Sequence, residues 1–392
     1  MGTIYNPRLA EVKAYFDNGD THLGYRRLLD AAIETQNESV FADTLAFCDW
    51  YDAATAQQNL ALEALPTKVA DLLQVIDNVP YNEHQPGILL SARGISKKYH
   101  KGNFSLQPLD ISLQSGEITG LVGENGNGKT TLLRLLYGEL MPDAGHIQYQ
   151  LGNRSTQASF YDTKSQLAFI PQRPPTWHGA LMDNLQLAAT HFGQQGRANL
   201  LWTEMIVARM GLRPFRSYTW SRISSGYKMR FELARTLVKK PEILLLDEPL
   251  ANLDVLAQQI ILEDLRFIAQ SKTMPMAVIL SSQQLYEVEK VSTQVIFLQK
   301  GLAKMQQPTK HGSTVLETPL IMELETTASR EQLQELLTPS GLQRISFNGG
   351  IYILYFAGGS ALGDILQTIG RAGLPVKYLR DISASSRRFF DA

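Results

Sequence analysis

The chain has 392 residues, 44% hydrophobic and 19% charged, enough apolar material for a sizeable buried core and enough length for two or three domains. A formal net charge of −1 argues against general electrostatic attraction to nucleic acid or to an anionic membrane, so no nucleic-acid partner is expected. Cys48 is the one cysteine, which excludes an internal disulfide and a cysteine-built zinc site and suits a reducing compartment.

The first residues, MGTIYNPRLAEVKAYF, lack the basic stretch and apolar core of a secretory signal. No apolar run approaches the ~18 residues that a membrane-spanning helix needs. A cytoplasmic protein is expected, and any action at a membrane needs another chain to cross it.

Residues 1–79 have a helical pattern. Leu9, Val12 and Tyr15 or Phe16 recur at helical spacing, as do Leu28, Leu29, Ala32 and Ile33, then Phe41, Leu45 and Cys48. Asn18, Gly19 and Asp20 mark a turn, Asn37 reads as a cap, and Pro66 opens a last helix through Ile76. A bundle of about four short helices follows from this. It serves either as a packed cap on what comes next or as a docking or dimerisation surface, and its aromatics, Phe16, Phe47 and Trp50, read as core.

Residues 80–87 form a polar, proline-containing linker, and strands are predicted at Ile88 to Ala92 and around Leu109, Ile111 and Leu113. Tyr99, between them, is placed either to stack on a purine ring or simply to pack. Then the apolar strand Ile118 to Val122 runs into Gly123, Glu124, Asn125, Gly126, Asn127, Gly128, Lys129, Thr130 and Thr131, and a helix opens from Lys129 to Leu136. Glycines there let backbone N–H groups approach phosphate oxygens, and the helix N-terminus adds partial positive charge. Lys129 is placed to span the β- and γ-phosphates of a nucleotide, and the Thr130 hydroxyl to bind Mg²⁺.

Downstream, Leu167 to Ile170 reads as a buried strand followed by Gln172. Helices are predicted for Met182 to Ala189 and Leu200 to Met210, and Ser224 and Ser225 cap a further helix to Val238. Ile243 to Leu246 fits a strand buried on both faces of a parallel sheet, delivering Asp247 and Glu248 at its C-terminal edge, where ligands bind in open α/β sheets. Strands at Met276 to Leu280 and Val295 to Leu298 follow. Residues 314–392 carry a different pattern, with a strand from Leu320, a helix capped by Ser329, a hairpin turning at Asn348-Gly349-Gly350, a helix from Ser360 and a strand from Val376. This β-α-β-β-α-β order suggests a small ferredoxin-like domain.

Residues 88–305 resemble the nucleotide-binding domain of ABC transporters. Tyr99 falls at the aromatic A-loop position, Gly123 to Thr130 match Walker A, and Gln172 matches the Q-loop. Ser224 to Arg230 resemble the signature motif, Asp247 and Glu248 end a Walker B strand, and Ala251 to Asp254 look like the D-loop. The expected fold is α/β, a P-loop NTPase of the ABC type with a helical subdomain, preceded by an all-α N-terminal domain and followed by a small α+β domain.

The resemblance implies a head-to-tail dimer, of two copies or of one copy with a paralogous ATPase, closing over ATP and Mg²⁺ and driving a membrane-spanning permease subunit. By the same resemblance Asp247, Thr130 and Gln172 surround Mg²⁺, and Glu248 orients or deprotonates the attacking water. Ser224 and Gly226 meet the γ-phosphate from the opposite subunit. Partner docking is expected along Pro174 to Leu185, with Arg173 and Trp177 contributing.

Two departures stand out. The signature is Ile223-Ser224-Ser225-Gly226-Tyr227 where the family has Leu-Ser-Gly-Gly-Gln, a form similar to that of exporters of drugs, polysaccharides and small molecules. At the switch the family's Ser-His-Asp is replaced by Ser281-Ser282-Gln283, so Ser282 is expected to donate to the γ-phosphate and hydrolysis to be slow. The C-terminal segment, ending near Phe389 or Phe390, resembles the extension on ATPase subunits of exporters with separate membrane subunits. An ABC-type exporter ATPase is therefore expected, with a non-transport mechanical clamp and a slow-hydrolysing ATP sensor as the other readings.

Overall fold

The computed structural model describes residues 7–56, 61–80, 83–84, 86–99, 104–152, 160–306, 319–348 and 350–383. These divide into two units, one running up to Ser292 with Ile296–Lys304, the other comprising Thr293–Val295 and the residues from Met305 onward. Gly349 of the expected hairpin turn and the Phe389 or Phe390 ending lie outside the described residues.

The first unit begins with α1 (Pro7–Asp17), α2 (Thr21–Glu34), α3 (Glu38–Ala56) and α4 (Leu65–Asp77). Asp20 caps α2 by accepting from the Leu23 N–H, and the Asn37 side chain accepts from the Ser39 and Val40 N–H groups before α3. Leu28, Leu29, Ala31 and Ala32 are wholly buried. Phe16, Phe47 and Trp50 are interior or half-buried packing residues, as expected, with Phe47 only 6% exposed.

Next come β1 (Ile88–Lys98), β2 (Ser105–Gln114), β3 (Ile118–Val122), α5 (Lys129–Leu136), β4 (Ala144–Tyr149), α6 (Phe160–Ser165) and β5 (Leu167–Ile170). After them are α7 (Leu181–His191), α8 (Gly196–Arg209), α9 (Ser225–Leu237), β6 (Ile243–Leu246), α10 (Val255–Ala269), β7 (Ala277–Ser282), α11 (Leu285–Glu289), β8 (Gln294–Gln299) and β9 (Leu302–Gln306). Of these, β4, α6, α10, α11 and β9 were not expected from the sequence pattern. For β4 the reason is visible in its exposure: it is an edge strand without buried positions.

Two sheets enclose α5. The larger has the order β5-β6-β7-β3-β8-β9, and β5–β6, β6–β7 and β3–β7 are parallel pairs. The smaller, β2-β1-β4, is antiparallel. Leu132, Leu133, Leu135 and Leu136 of α5 are fully buried between Leu90 and Ile95 of β1 on one side and Leu245 and Ile279 of the parallel sheet on the other. Every residue of β3, β6 and β7 is buried, the pattern of strands covered on both faces.

The N-terminal helices are tied to α8 and α10 by charge as well as by apolar contact such as Phe41 against Trp202. Arg209 of α8 is shared between Asp30 of α2 and Asp264 of α10, the latter at 2.6 Å, and Arg26 also pairs with Asp264. Arg213 reaches Asp49 and Asp52 of α3, the second at 2.7 Å. Arg8 pairs with Glu34 at 2.7 Å, and burial pushes the Glu34 carboxyl above its ordinary range.

The second unit runs β10 (Pro319–Thr326), α12 (Arg330–Leu337), β11 (Leu342–Asn348), β12 (Ile351–Gly358), α13 (Leu362–Arg371) and β13 (Val376–Asp381), the expected β-α-β-β-α-β succession. Its antiparallel sheet has the order β11-β12-β10-β13. Ser329 and Gln332 form a capping box on α12, and Leu333, Leu337, Ile365 and Ile369 pack the two helices against Met322, Leu354 and Phe356.

Two outcomes are expected from this packing. Arg209→Leu removes the cation shared by two carboxylates and should cost about 3 kcal/mol in urea unfolding, whereas Glu139→Ala, which breaks the half-exposed Arg134 pair, should cost under about 1 kcal/mol. Cys48 is buried and its thiol is pushed up to about 11 by that burial. The thiolate is therefore scarce below that pH, and iodoacetamide at pH 8 should label Cys48 only after denaturation.

Candidate functional site

The parallel sheet sets the geometry. β3, β7 and β6 are neighbours, so the glycine-rich turn after β3 and the two carboxylates after β6 emerge on the same edge with the end of β7 between them.

The turn is built for close approach. Gly128 has φ 103°, and a Cβ there would fall 2.6 Å from the Phe104 ring; at Gly123 it would fall 2.4 Å from the Leu298 carbonyl oxygen. Asn127 braces the loop by accepting from the Lys300 N–H at 2.9 Å. Glu124, Asn125 and Gly126 are exposed at its tip. No side chain caps α5, so its first N–H groups are left for an anion. Lys129 is 5% exposed; its Nζ donates to the carbonyl oxygens of Gly123 at 2.6 Å and Glu124 at 3.3 Å and pairs with Glu248 Oε1 at 3.0 Å.

At the carboxylate edge, the Thr130 hydroxyl donates to Asp247 Oδ2 at 2.7 Å, and the Ser281 hydroxyl to Asp247 Oδ1 at 2.9 Å. The Ser281 oxygen in turn accepts the Glu248 N–H at 2.8 Å. Glu248 is 8% exposed, with φ 48°, a backbone region that costs a non-glycine residue about 1 kcal/mol. Its Oε2 accepts from Gln172 Nε2 at 2.7 Å and from Gln283 Nε2 at 2.9 Å.

Thr130 and Asp247 fit a magnesium ion in kind, since both offer hard oxygen ligands side by side. Among the described residues no group of three His, Cys, Asp or Glu could hold a metal, so these two suit an ion whose other positions are filled by phosphate and water. Gln172, expected at the same ion, donates its amide N–H to Glu248, a bond that does not use its carbonyl oxygen.

Tyr99 is 38% exposed, its hydroxyl 3.4 Å from Thr131 Oγ1 and its ring 6.4 Å from that of Phe104, beside the loop. Ser224 caps α9 by accepting from the Tyr227 N–H, and Gly226 lies against Ala257 at the start of α10. The hydrogen bonds that join Lys129, Thr130, Gln172, Asp247 and Glu248 do not include Ser224 or Gly226.

Two expectations are corrected. Ser282 turns its hydroxyl elsewhere: it donates to Glu287 Oε2 of α11 at 2.8 Å and accepts the Gln284 N–H at 2.9 Å, and the residue is 5% exposed. Gln283, for which no role was expected, supplies the side chain that reaches Glu248. Trp177 is not free on the expected docking segment either. Its indole N–H donates to the buried Glu232, and Arg235 lies 4.3 Å over its ring, so it anchors the segment to α9. Arg173 is exposed, as docking requires.

Residues 106–251 match the family model described as ABC transporter. The nickel import ATP-binding protein NikO of Rhodobacter capsulatus is 33% identical over 210 residues, 52% of this chain and 82% of that protein. The Nod factor export ATP-binding protein I of a Rhizobium species is 28% identical over 298 residues, 73% of this chain and 91% of that protein. Among solved structures, cbiO1 of Clostridium perfringens, part of the ABC transporter complex cbiONQ, superposes with a TM-score of 0.51 at 22% identity over 56% of this chain and 88% of that one, a likeness of fold.

Lys129→Met is expected to abolish binding of a fluorescent nucleoside triphosphate. It also strands the Glu248 carboxylate out of water, at a cost of about 3 kcal/mol in thermal or urea unfolding. Wild-type affinity in this variant would remove Lys129 from the site.

Proposed function

Because this chain belongs to the ATP-binding proteins of ABC transporters, we propose that it is the ATPase subunit of an exporter, working as a dimer on a separate membrane-spanning permease. The observation that supports this most is the constellation around Glu248: a carboxylate beside a phosphate-type loop, ion-paired to the loop lysine and held by two amides.

In this reading the α5 N-terminus and the loop N–H groups hold the triphosphate, and Tyr99 stacks on the adenine. Lys129 leaves Glu248 for the β- and γ-phosphates, where its charge offsets the charge that builds during transfer. Glu248, released from that pairing, orients the attacking water and takes its proton. A magnesium ion bound by Thr130 and Asp247 would supply neutralising charge to the phosphate oxygens. Ser224 and Gly226 reach the γ-phosphate of the opposite subunit, a second copy or a paralogous ATPase.

The export direction is supported by the length of the match to the Nod factor export protein, which runs over 298 residues, and by the signature form Ser224-Ser225-Gly226-Tyr227-Lys228. Importers are also among its relatives, NikO being one. Among the described residues no helix is long and apolar enough to cross a membrane. In this reading the permease supplies the crossing, and the ATPase sits peripherally on the cytoplasmic face.

Glu248→Gln should lower ATP turnover by about a hundredfold or more while leaving nucleotide affinity within a few-fold, measured as phosphate release and analogue binding on the same preparation. An unchanged rate removes Glu248 from the water-activating role. Affinity purification from detergent-solubilised membranes should bring down a polytopic membrane protein; recovery without one favours the mechanical clamp.

A further inference from the structure

We propose that Gln283, and not Ser282, is the switch residue of this ATPase: a positioning residue that, with Gln172, fixes the Glu248 carboxylate for water activation. This rests on the reading of Glu248 as the water-activating group.

A carboxylate offers about four acceptor directions. In Glu248, Oε1 meets Lys129 at 3.0 Å, while Oε2 takes the Gln172 amide at 2.7 Å and the Gln283 amide at 2.9 Å. One direction, on Oε1, is left over, and because the two amides approach Oε2 from different elements the carboxylate cannot rotate to offer another. The backbone is held as well, since Glu248 keeps φ 48° while its N–H is bound by Ser281. Transfer of Lys129 to phosphate frees Oε1 for water without loosening Oε2.

Topology explains why Gln283 can do this. Val122 pairs with Ser282 across β3 and β7, and the Gly123 N–H approaches the Ser282 carbonyl oxygen at 3.4 Å, so the next residue, Gln283, stands level with the phosphate loop. Ser282 cannot donate to Glu248 or to phosphate while its one hydroxyl proton is committed to Glu287; that bond and the one it accepts from the Gln284 N–H shape the turn that presents Gln283. An amide on a longer side chain thereby stands in for a shorter hydroxyl one position earlier.

The test uses the full chain and two near-isosteric variants, since Gln283 is exposed and its replacement should not disturb folding. Gln283→Met, which keeps length and loses the donors, should lower kcat about tenfold at saturating ATP, with the dissociation constant of a fluorescent ATP analogue within about twofold. Gln283→Glu, which sets a like charge against Glu248, should lower kcat further. Ser282→Ala should lower kcat less than either. Combining Gln172→Ala with Gln283→Met should cost less than the product of the single losses, because both amides act on one oxygen.

Wild-type kcat in Gln283→Met, a larger loss in Ser282→Ala than in Gln283→Met, a parallel fall of kcat and affinity, or strict multiplicativity with Gln172→Ala would each overturn the proposal. A wild-type chain that binds no ATP and releases no phosphate would instead overturn the ATPase reading itself.

Discussion

Lys129 and Glu248 meet at 3.0 Å where both side chains are almost out of water, at 5% and 7% exposure, and the architecture around the site depends on keeping that pair satisfied. Each charge alone would be expensive to bury; together, with the Gly123 carbonyl on one side and two amides on the other, their hydrogen-bonding capacity is largely used. The strand order makes the meeting possible. The loop after β3 and the carboxylates after β6 are separated by one strand, so the residues that end β7 are forced between them. Ser281 then organises both carboxylates, donating to Asp247 and accepting from the Glu248 backbone.

The same economy of buried charge joins the N-terminal helices to the unit they belong to. α3 meets Arg213 through the exposed Asp49 and Asp52, and α2 presents the largely buried Arg26 and Asp30 to Arg209 and Asp264. Such pairs add little net stability over apolar contacts of the same volume, but they penalise any arrangement in which one partner is left unpaired. Apolar contact such as Phe41 of α3 against Trp202 of α8 adds adhesion, and the buried ion pairs restrict how α2 can sit on α8 and α10.

Much of the parallel sheet was legible because its strands read as short, mostly apolar runs: Ile118 to Val122, Leu167 to Ile170 and Ile243 to Leu246 begin and end in the structure where the sequence placed them. The caps at Asn37, Ser224 and Ser329 were legible for a different reason, since a short oxygen-bearing side chain ahead of an apolar period has few other uses. Exposed β4 and short α11 escaped, having little buried surface to impose a pattern. α10 escaped although Asp254 caps it and Ile261, Leu262 and Leu265 mark its buried side, a helical signature that the neighbouring carboxylate motif overshadowed.

At the site, residue types decided the chemistry. Glycines at Gly123, Gly126 and Gly128, the lysine and threonine after them, and paired carboxylates at a strand end leave few alternatives to holding a polyphosphate, and local spacing alone specifies them. Which polar side chain reaches which was not a local matter. Ser282, Gln283 and Gln284 are adjacent in the chain, and only the register of β7 against β3 turns the first inward to Glu287 and the second outward to Glu248. Trp177 likewise falls in the segment expected to dock a partner, and only the fold sets Glu232 and Arg235, more than fifty residues away, against it. Sequence by itself identified the glycine-rich loop, its lysine and threonine and the paired carboxylates, because backbone approach and charge are properties of nearby residues; tertiary structure brought in Gln283 in place of Ser282 and decided the hydrogen-bond partners, because a side chain's direction depends on strands that are neighbours only in the fold.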